Sequence, residues 1–184
     1  MKILMIASGY PPDIRGGGEI SSQLLAESLV RQGVQVEVLA AADGEIRESV
    51  NGVAVHRIPS PNIDWNFAKQ RNAAQKLLWH AGDNWNPRAR NAVRRKIEDV
   101  RPDIVVTSTV ENFGGEAWRA AADVGVPVVH ILRSYFLLCW QGTMFRQGQN
   151  CARPCVECDV APKFYPFVSS FQGFWLGVRG TVAT

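Results

Sequence analysis

Four consecutive apolar residues, Ile3 to Ile6, run up to a turn signal at Ser8-Gly9. An apolar run of that length without polar alternation suits a strand buried on both faces, as in parallel sheets. After the loop SGYPPDIRGGG the period changes. From Glu19 onward Ile20, Leu24, Leu25 and Leu29 recur at helical spacing, with Gln23, Glu27 and Arg31 on the other side and Gly33 as C-terminal cap. Val34 to Ala40 reads as a second strand, so the first forty residues make a βαβ unit whose crossover is expected to be right-handed.

Val53, Val55 and Ile58 predict a third strand, ended by Pro59 and Pro61. Between Asn62 and Trp85, Ala73, Ala74, Leu77 and Leu78 argue for a helix, while Trp65, Phe67, Trp79 and Trp85 supply more aromatic surface than one helix face needs. Core and lid packing accounts for them, as does an apolar acceptor site. Asn86 as N-cap and Pro87 as first helical residue open a helix with Ala89, Val93, Ile97 and Val100 on one face, and Pro102 ends it. Ile104 to Val106 is a fourth strand, Gly115 to Val124 a helix capped by Gly125, and Pro127 to Leu132 a fifth strand. The alternation predicts an α/β fold, a doubly wound Rossmann-like parallel sheet, with ligands at the carboxyl ends of its strands.

Composition narrows the classes. The 184 residues are 46% hydrophobic and 20% charged, ordinary for a globular domain with one good core, which excludes disorder and fibrous classes. Lys and Arg number 20 against 17 Asp and Glu, and the resulting +3 is too mild and too evenly mixed to argue for nucleic acid. The run Ile3 to Ala7 is shorter than a signal-peptide core, and Arg133 breaks the best apolar window, so a cytoplasmic protein without a membrane span is expected. The outer face of the helix after Pro87 carries Arg88, Arg90, Arg94, Arg95, Lys96 and Arg101 against Glu98 and Asp99. A solvated face explains that pattern, and so does peripheral contact with an anionic membrane surface, at the inner membrane face.

The first candidate chemistry is Gly16-Gly17-Gly18-Glu19. Three glycines at a helix N-terminus let the backbone approach a ligand closely, and first-turn N–H groups attract phosphate or carboxylate; a purely structural turn has the same composition. There is no GxGxxG after the first strand and no GxxxxGK[ST], which disfavours dinucleotide-binding oxidoreductases and P-loop proteins.

The opening KILMIASGYPPDIRGGGE with SSQLLAESLVRQGVQVEVLA, continued by RPDIVVTSTVENFGG and AADVGVPVVHILRSYFLLCWQGTMFRQGQNCARPCVEC, resembles the N-terminal domain of family-4 retaining glycosyltransferases over about residues 1 to 160. The resemblance implies the N-terminal half of a GT-B fold, in which two Rossmann-like domains face each other. It also implies transfer of a sugar, with retention and without a catalytic metal, from a nucleotide-sugar donor to a glycan, lipid-linked or small-molecule acceptor in polysaccharide biosynthesis. Carried over residue by residue, Gly16, Gly17 and Gly18 would lie over the donor phosphates, Arg15 would add a guanidinium contact to phosphate, and Tyr10 would face the acceptor. Many members have His-Asp after the fifth strand where this chain has Arg133-Ser134, so Arg133 is the catalytic candidate for stabilising phosphate or developing charge, and His130 reads as core or rim. The donor domain's E-x7-E motif is matched in spacing by Glu19 with Glu27 and Glu37 with Glu45, but both pairs fall in the first βαβ unit and are read as coincidence.

The expected organisation is an acceptor-binding domain over 1–135, a cysteine-containing loop over 136–160 and an apolar, truncated-looking tail over 161–184. All four cysteines, Cys139, Cys151, Cys155 and Cys158, fall in that one loop. Four thiolates close a tetrahedral structural zinc site, while a Cys-x2-Cys end is equally a redox pair or a disulfide, and both readings stay open. On the resemblance the chain alone is expected to be inactive, because a GT-B site needs both walls of its cleft. The competing reading is a non-catalytic metal-binding or interaction module on a Rossmann-like scaffold.

Overall fold

A computed structural model describes residues 1–14, 16–62, 75, 78–79, 81–82, 85–135, 139 and 143–152. The chain divides into two compact units, Met1–Ile131 and Leu132–Thr184.

The first unit is a six-stranded sheet in the order β3-β4-β2-β1-β5-β6. Its strands are β1 (Lys2–Ala7), β2 (Gln35–Ala42), β3 (Ile46–Val50), β4 (Val53–Pro59), β5 (Ile104–Thr107) and β6 (Val128–His130), and its helices α1 (Gly17–Arg31), α2 (Pro87–Val100) and α3 (Glu116–Asp123). β1 lies between β2 and β5, both parallel to it, with Ile3 beside Val36 on one side and Ile104 on the other. Every residue of β1 after Lys2 is buried, because side chains alternate between two covered faces. Ile3 and Met5 join Tyr10, Ala26, Val38, Val55 and Val106 in a core on the α1 side. Leu4 and Ile6 join Leu39, Val93, Ile97, Phe113 and Ala117 on the side of α2 and α3.

The sheet exceeds the sequence expectation by one strand. β3 pairs antiparallel with β4 through Val50 and Val53, and the two residues between them, Asn51 and Gly52, both have positive φ, at 50° and 84°. That is the type I′ geometry whose backbone twist matches the flanking strands. The fifth predicted strand is shorter than expected, covering three residues as β6.

α1 follows its predicted face at Leu25 and Leu29, which pack partly buried against the core, and departs from it at the other two positions. Ile20 and Leu24 are 44% and 59% exposed, and the buried residues are Glu19, Ser22 and Ala26. Small side chains at 22 and 26 let the helix lie close on the sheet, and the loops beyond β1 and β5 give Glu19 and Ser22 polar partners. α2 follows its prediction: Asn86 Oδ1 accepts the N–H groups of Arg88 and Ala89 at 3.1 and 3.2 Å, and Ala89, Val93, Ile97 and Val100 are buried. In the stretch before it, Gln75, Leu78, Trp79, Ala81 and Gly82 are helical, with Trp79 buried and Leu78 exposed; Trp65, Phe67, Ala73, Ala74 and Leu77 lie outside the described residues.

In the second unit, β7 (Phe145–Arg146) and β8 (Gln149–Asn150) form a short antiparallel hairpin turning at Gln147 and Gly148, both at positive φ. The Cys151 N–H donates to the Met144 carbonyl at 2.8 Å, one step beyond the hairpin's strands. No helix among the described residues is long and apolar enough to cross a membrane.

Candidate functional site

The strand order reverses direction between β1 and β5: from β1 the chain moves outward to β2 on one side and later to β5 on the other. In open α/β sheets the loops leaving the carboxyl ends of two such strands diverge, and the crevice between them receives ligands. Here those loops are residues 8–16, leading into α1, and 108–115, leading into α3.

Hydrogen bonds stitch the two loops together at their base. The Ser8 N–H donates to Thr109 Oγ1 at 3.1 Å, and the Ser22 hydroxyl, 2.8 Å from the Gly18 carbonyl, is paired with the Ser108 hydroxyl at 2.9 Å. Gly18 is required at this junction, because a Cβ there would stand 2.8 Å from the Thr109 methyl. At Gly17 a Cβ would meet nothing within 4 Å, and Gly16 and Gly17 are exposed. The exposed part of the glycine run thus has open space at Gly17 and, through the Gly16 N–H, adjoins buried Glu19.

Two carboxylates shape the electrostatics. Glu19 Oε2 accepts the Gly16 N–H at 3.0 Å, which caps the first turn and places a negative charge at the positive end of α1. Glu111 is held above the ordinary carboxylate range, chiefly by burial, with the charge of Glu19 adding to the effect and a hydrogen bond from Ser8 opposing it. Its Oε2 is buried and has no hydrogen-bond partner among the described residues. Glu111 lies in the segment RPDIVVTSTVENFGG, where the resemblance gave it no role.

The β1 loop is held from below by Arg57, which the sequence reading passed over as a residue of the third strand. Arg57 is 3% exposed; its guanidinium donates to the carbonyls of Tyr10 (2.8 Å) and Pro11 and to the carboxylates of Glu48 (2.5 Å) and Asp13 (3.4 Å). A buried guanidinium with this set of acceptors fixes the loop backbone. Tyr10 does not face the crevice. Its ring is fully buried in the core on the α1 side, and burial pushes its hydroxyl up to about 12. With its carbonyl tied to Arg57, the apolar ring is left on the core side of the loop.

At the end of β6, His130 Nδ1 lies 2.8 Å from Thr107 Oγ1, which also accepts the Trp118 Nε1–H at 3.0 Å. Trp118 packs edge-on against the imidazole, with centroids 5.1 Å apart. Burial lowers the His130 pKa, opposed by a backbone hydrogen bond at Thr107, so the ring is neutral at pH 7.

Of the other predicted site residues, Arg15, Cys155 and Cys158 lie outside the described residues, as does the 161–184 tail. Arg133 is exposed and belongs to the second unit, with Cys139, which is buried, and Cys151, which is half-buried. Among the described residues no cluster of three or more His, Cys, Asp and Glu is placed to hold a metal ion.

Residues 16–159 match the model of the glycosyl transferase 4-like domain, and the chain belongs to that family. It is 32% identical over 153 residues to an uncharacterized 42.6 kDa protein in the cps region of Klebsiella pneumoniae, covering 82% of this chain and 41% of that protein. Over 59 residues it is 46% identical to an uncharacterized glycosyltransferase of Methanocaldococcus jannaschii, covering 32% of this chain and 15% of that protein. The chain thus spans less than half the length of either relative. Among solved structures, sucrose-phosphate synthase from Thermosynechococcus elongatus superposes with a TM-score of 0.56 at 13% identity, over 93% of this chain and 39% of that one. Family and fold agree with the resemblance read from the sequence: this is a glycosyltransferase domain of the N-terminal GT-B type.

Proposed function

We propose that this chain is the acceptor-side domain of a retaining glycosyltransferase that moves a sugar from a nucleotide-sugar donor to a glycan, lipid-linked or small-molecule acceptor. The observation that supports this most is the lining of the β1/β5 crevice. An exposed Gly16-Gly17 rim at a helix N-terminus adjoins Glu19, and the two loops carry Glu111 and hydroxyl-bearing Ser8 and Thr109. Carboxylate oxygens accept hydrogen bonds from hydroxyl groups, so the interior of this crevice suits a sugar or other polyol. The rim, where a side chain is missing, suits close approach of a donor phosphate. In this reading Glu111, with an unpartnered buried oxygen, orients an acceptor hydroxyl, while Arg15 and Arg133 stay candidates for contributing charge toward phosphate on the family resemblance alone. Catalysis needs no metal and requires the remaining part of the enzyme.

Gly17→Asp in the full-length enzyme tests the reading cleanly. The new side chain enters open space, and a carboxylate in the first helical turn is favourable for α1, so the fold is retained while phosphate approach is repelled. Sugar transfer from radiolabelled UDP- or GDP-sugars is expected to be abolished with an unchanged melting temperature. Unchanged transfer removes the glycine rim from the site.

A further inference from the structure

A cavity that shares no lining residue with the two crevice loops lies on the α2 side of the sheet, where β3 and β4 form its edge. It has a volume of about 720 Å³ and carries Arg47 from β3, Arg88, Arg95 and Lys96 from α2, with Glu45 and Asp99 as its carboxylates among the described residues. Topology explains the gap. α2 packs across β2, and β3, added by the Asn51-Gly52 turn, extends the sheet beyond the helix. Arg47 and its cross-strand neighbour His56 point to this side, while the flanking residues of that edge, Glu48 and Arg57, pair with each other.

The cations of α2 fall into two sets. Those facing elsewhere are neutralised: Arg90 makes a two-pronged bond to Asp123 at 2.6 and 2.7 Å, and Arg94 lies 3.9 Å from Glu98. Inside the cavity Lys96 is paired with Asp99 at 3.0 Å, which holds that carboxyl below its ordinary range and cancels its charge. Arg47, Arg88 and Arg95 have no carboxylate within ion-pair distance among the described residues. Arg88 and Arg95 are seven residues apart, two turns of one helix face and about 10 Å along its axis. Arg47 lines the same space, which is of small-ligand size and also has apolar residues Ile58, Pro59 and Ala92 in its wall.

Like charges are brought together in this way at a cost in self-repulsion, which a multivalent oxyanion removes. Guanidinium geometry matches phosphate oxygens two at a time. We propose that this cavity binds a phosphate-bearing ligand carrying more than one negative charge, a diphosphate or a cluster of phosphorylated headgroups, through Arg47, Arg88 and Arg95.

The test is calorimetric titration of the chain with inorganic pyrophosphate, with sedimentation onto phosphatidylcholine vesicles with and without phosphatidylglycerol as a second arm. Saturable pyrophosphate binding is expected, weakened about tenfold or more, or about 1.4 kcal/mol, by Arg88→Gln with Arg95→Gln. It should be unaffected by Arg94→Gln, which removes an equal charge from a paired position on the same helix. Vesicle binding with the same arginine dependence assigns the ligand to a lipid headgroup, and pyrophosphate binding without vesicle binding assigns it to a free phosphorylated compound. Absence of saturable pyrophosphate binding, or an equal effect of Arg94→Gln, overturns the proposal. Both arms read binding alone, so their failure leaves the sugar-transfer reading untouched.

Discussion

A methyl group added at Gly18 would stand 2.8 Å from the Thr109 methyl, and Thr109 cannot rotate away without surrendering its hydroxyl as acceptor for the Ser8 N–H. Overpacking of this kind costs about 1–3 kcal/mol. That exceeds the roughly 0.5–1 kcal/mol that alanine gains over glycine in a helix. Gly18→Ala is therefore expected to lower the denaturant midpoint, whereas Gly17→Asp leaves stability unchanged, and a midpoint equal to the parent's would show the contact to be unimportant. Glu111 carries a pH signature of its own. Near or below pH 4.3, about the ordinary carboxyl value, it is protonated folded and unfolded alike. As pH rises through its elevated folded value, the native state must ionise a buried oxygen and loses stability relative to the unfolded chain. Glu111→Gln is thus expected to raise the melting temperature at neutral pH, with the gain vanishing as pH falls to about 4; a gain independent of pH would point to packing instead of charge.

Elements were legible where one physical pattern governed them. α2 announces itself by Asn86, Pro87 and four apolar residues on one face, and Asn86→Ala should cost about 0.5–2 kcal/mol in chemical denaturation because two first-turn N–H groups lose their acceptor. A smaller loss would mean that water replaces the cap. β1 was equally plain, since burial on both faces leaves no polar residue to interrupt it. β3 was hidden by IRESV, which is polar because it is an edge strand with an exposed face, and the only signal was the Asn51-Gly52 turn that follows it. In α1 the periodicity of Ile20, Leu24, Leu25 and Leu29 was real, but the site outweighed it. The buried face is set by what Gly16, Gly18 and Ser108 need as partners, so Glu19 and Ser22 go inward and Ile20 and Leu24 stay outside. The glycine rim could be read from composition alone. The roles of Glu111 and Arg57 could not, because each depends on contacts between loops and strands far apart in the chain.

At the scale of the whole molecule, the sheet order determines where chemistry is possible. Placing β1 between β2 and β5 opens a crevice at the carboxyl end of the sheet, and the same order, lengthened by the β3–β4 hairpin, leaves a basic cavity at its far edge. The proposed sugar transfer, donor phosphate included, belongs to the first, and the proposed binding of a separate phosphate-bearing ligand to the second. Hydrogen exchange of the full-length enzyme, followed by mass spectrometry with and without a UDP- or GDP-sugar, separates them. Exchange is predicted to slow in residues 8–18 and 108–115, the two loops of the crevice. Unchanged exchange in both loops, with slowing confined to the segments bearing Arg47, Arg88 and Arg95, would contradict the assignment of the crevice as the transfer site.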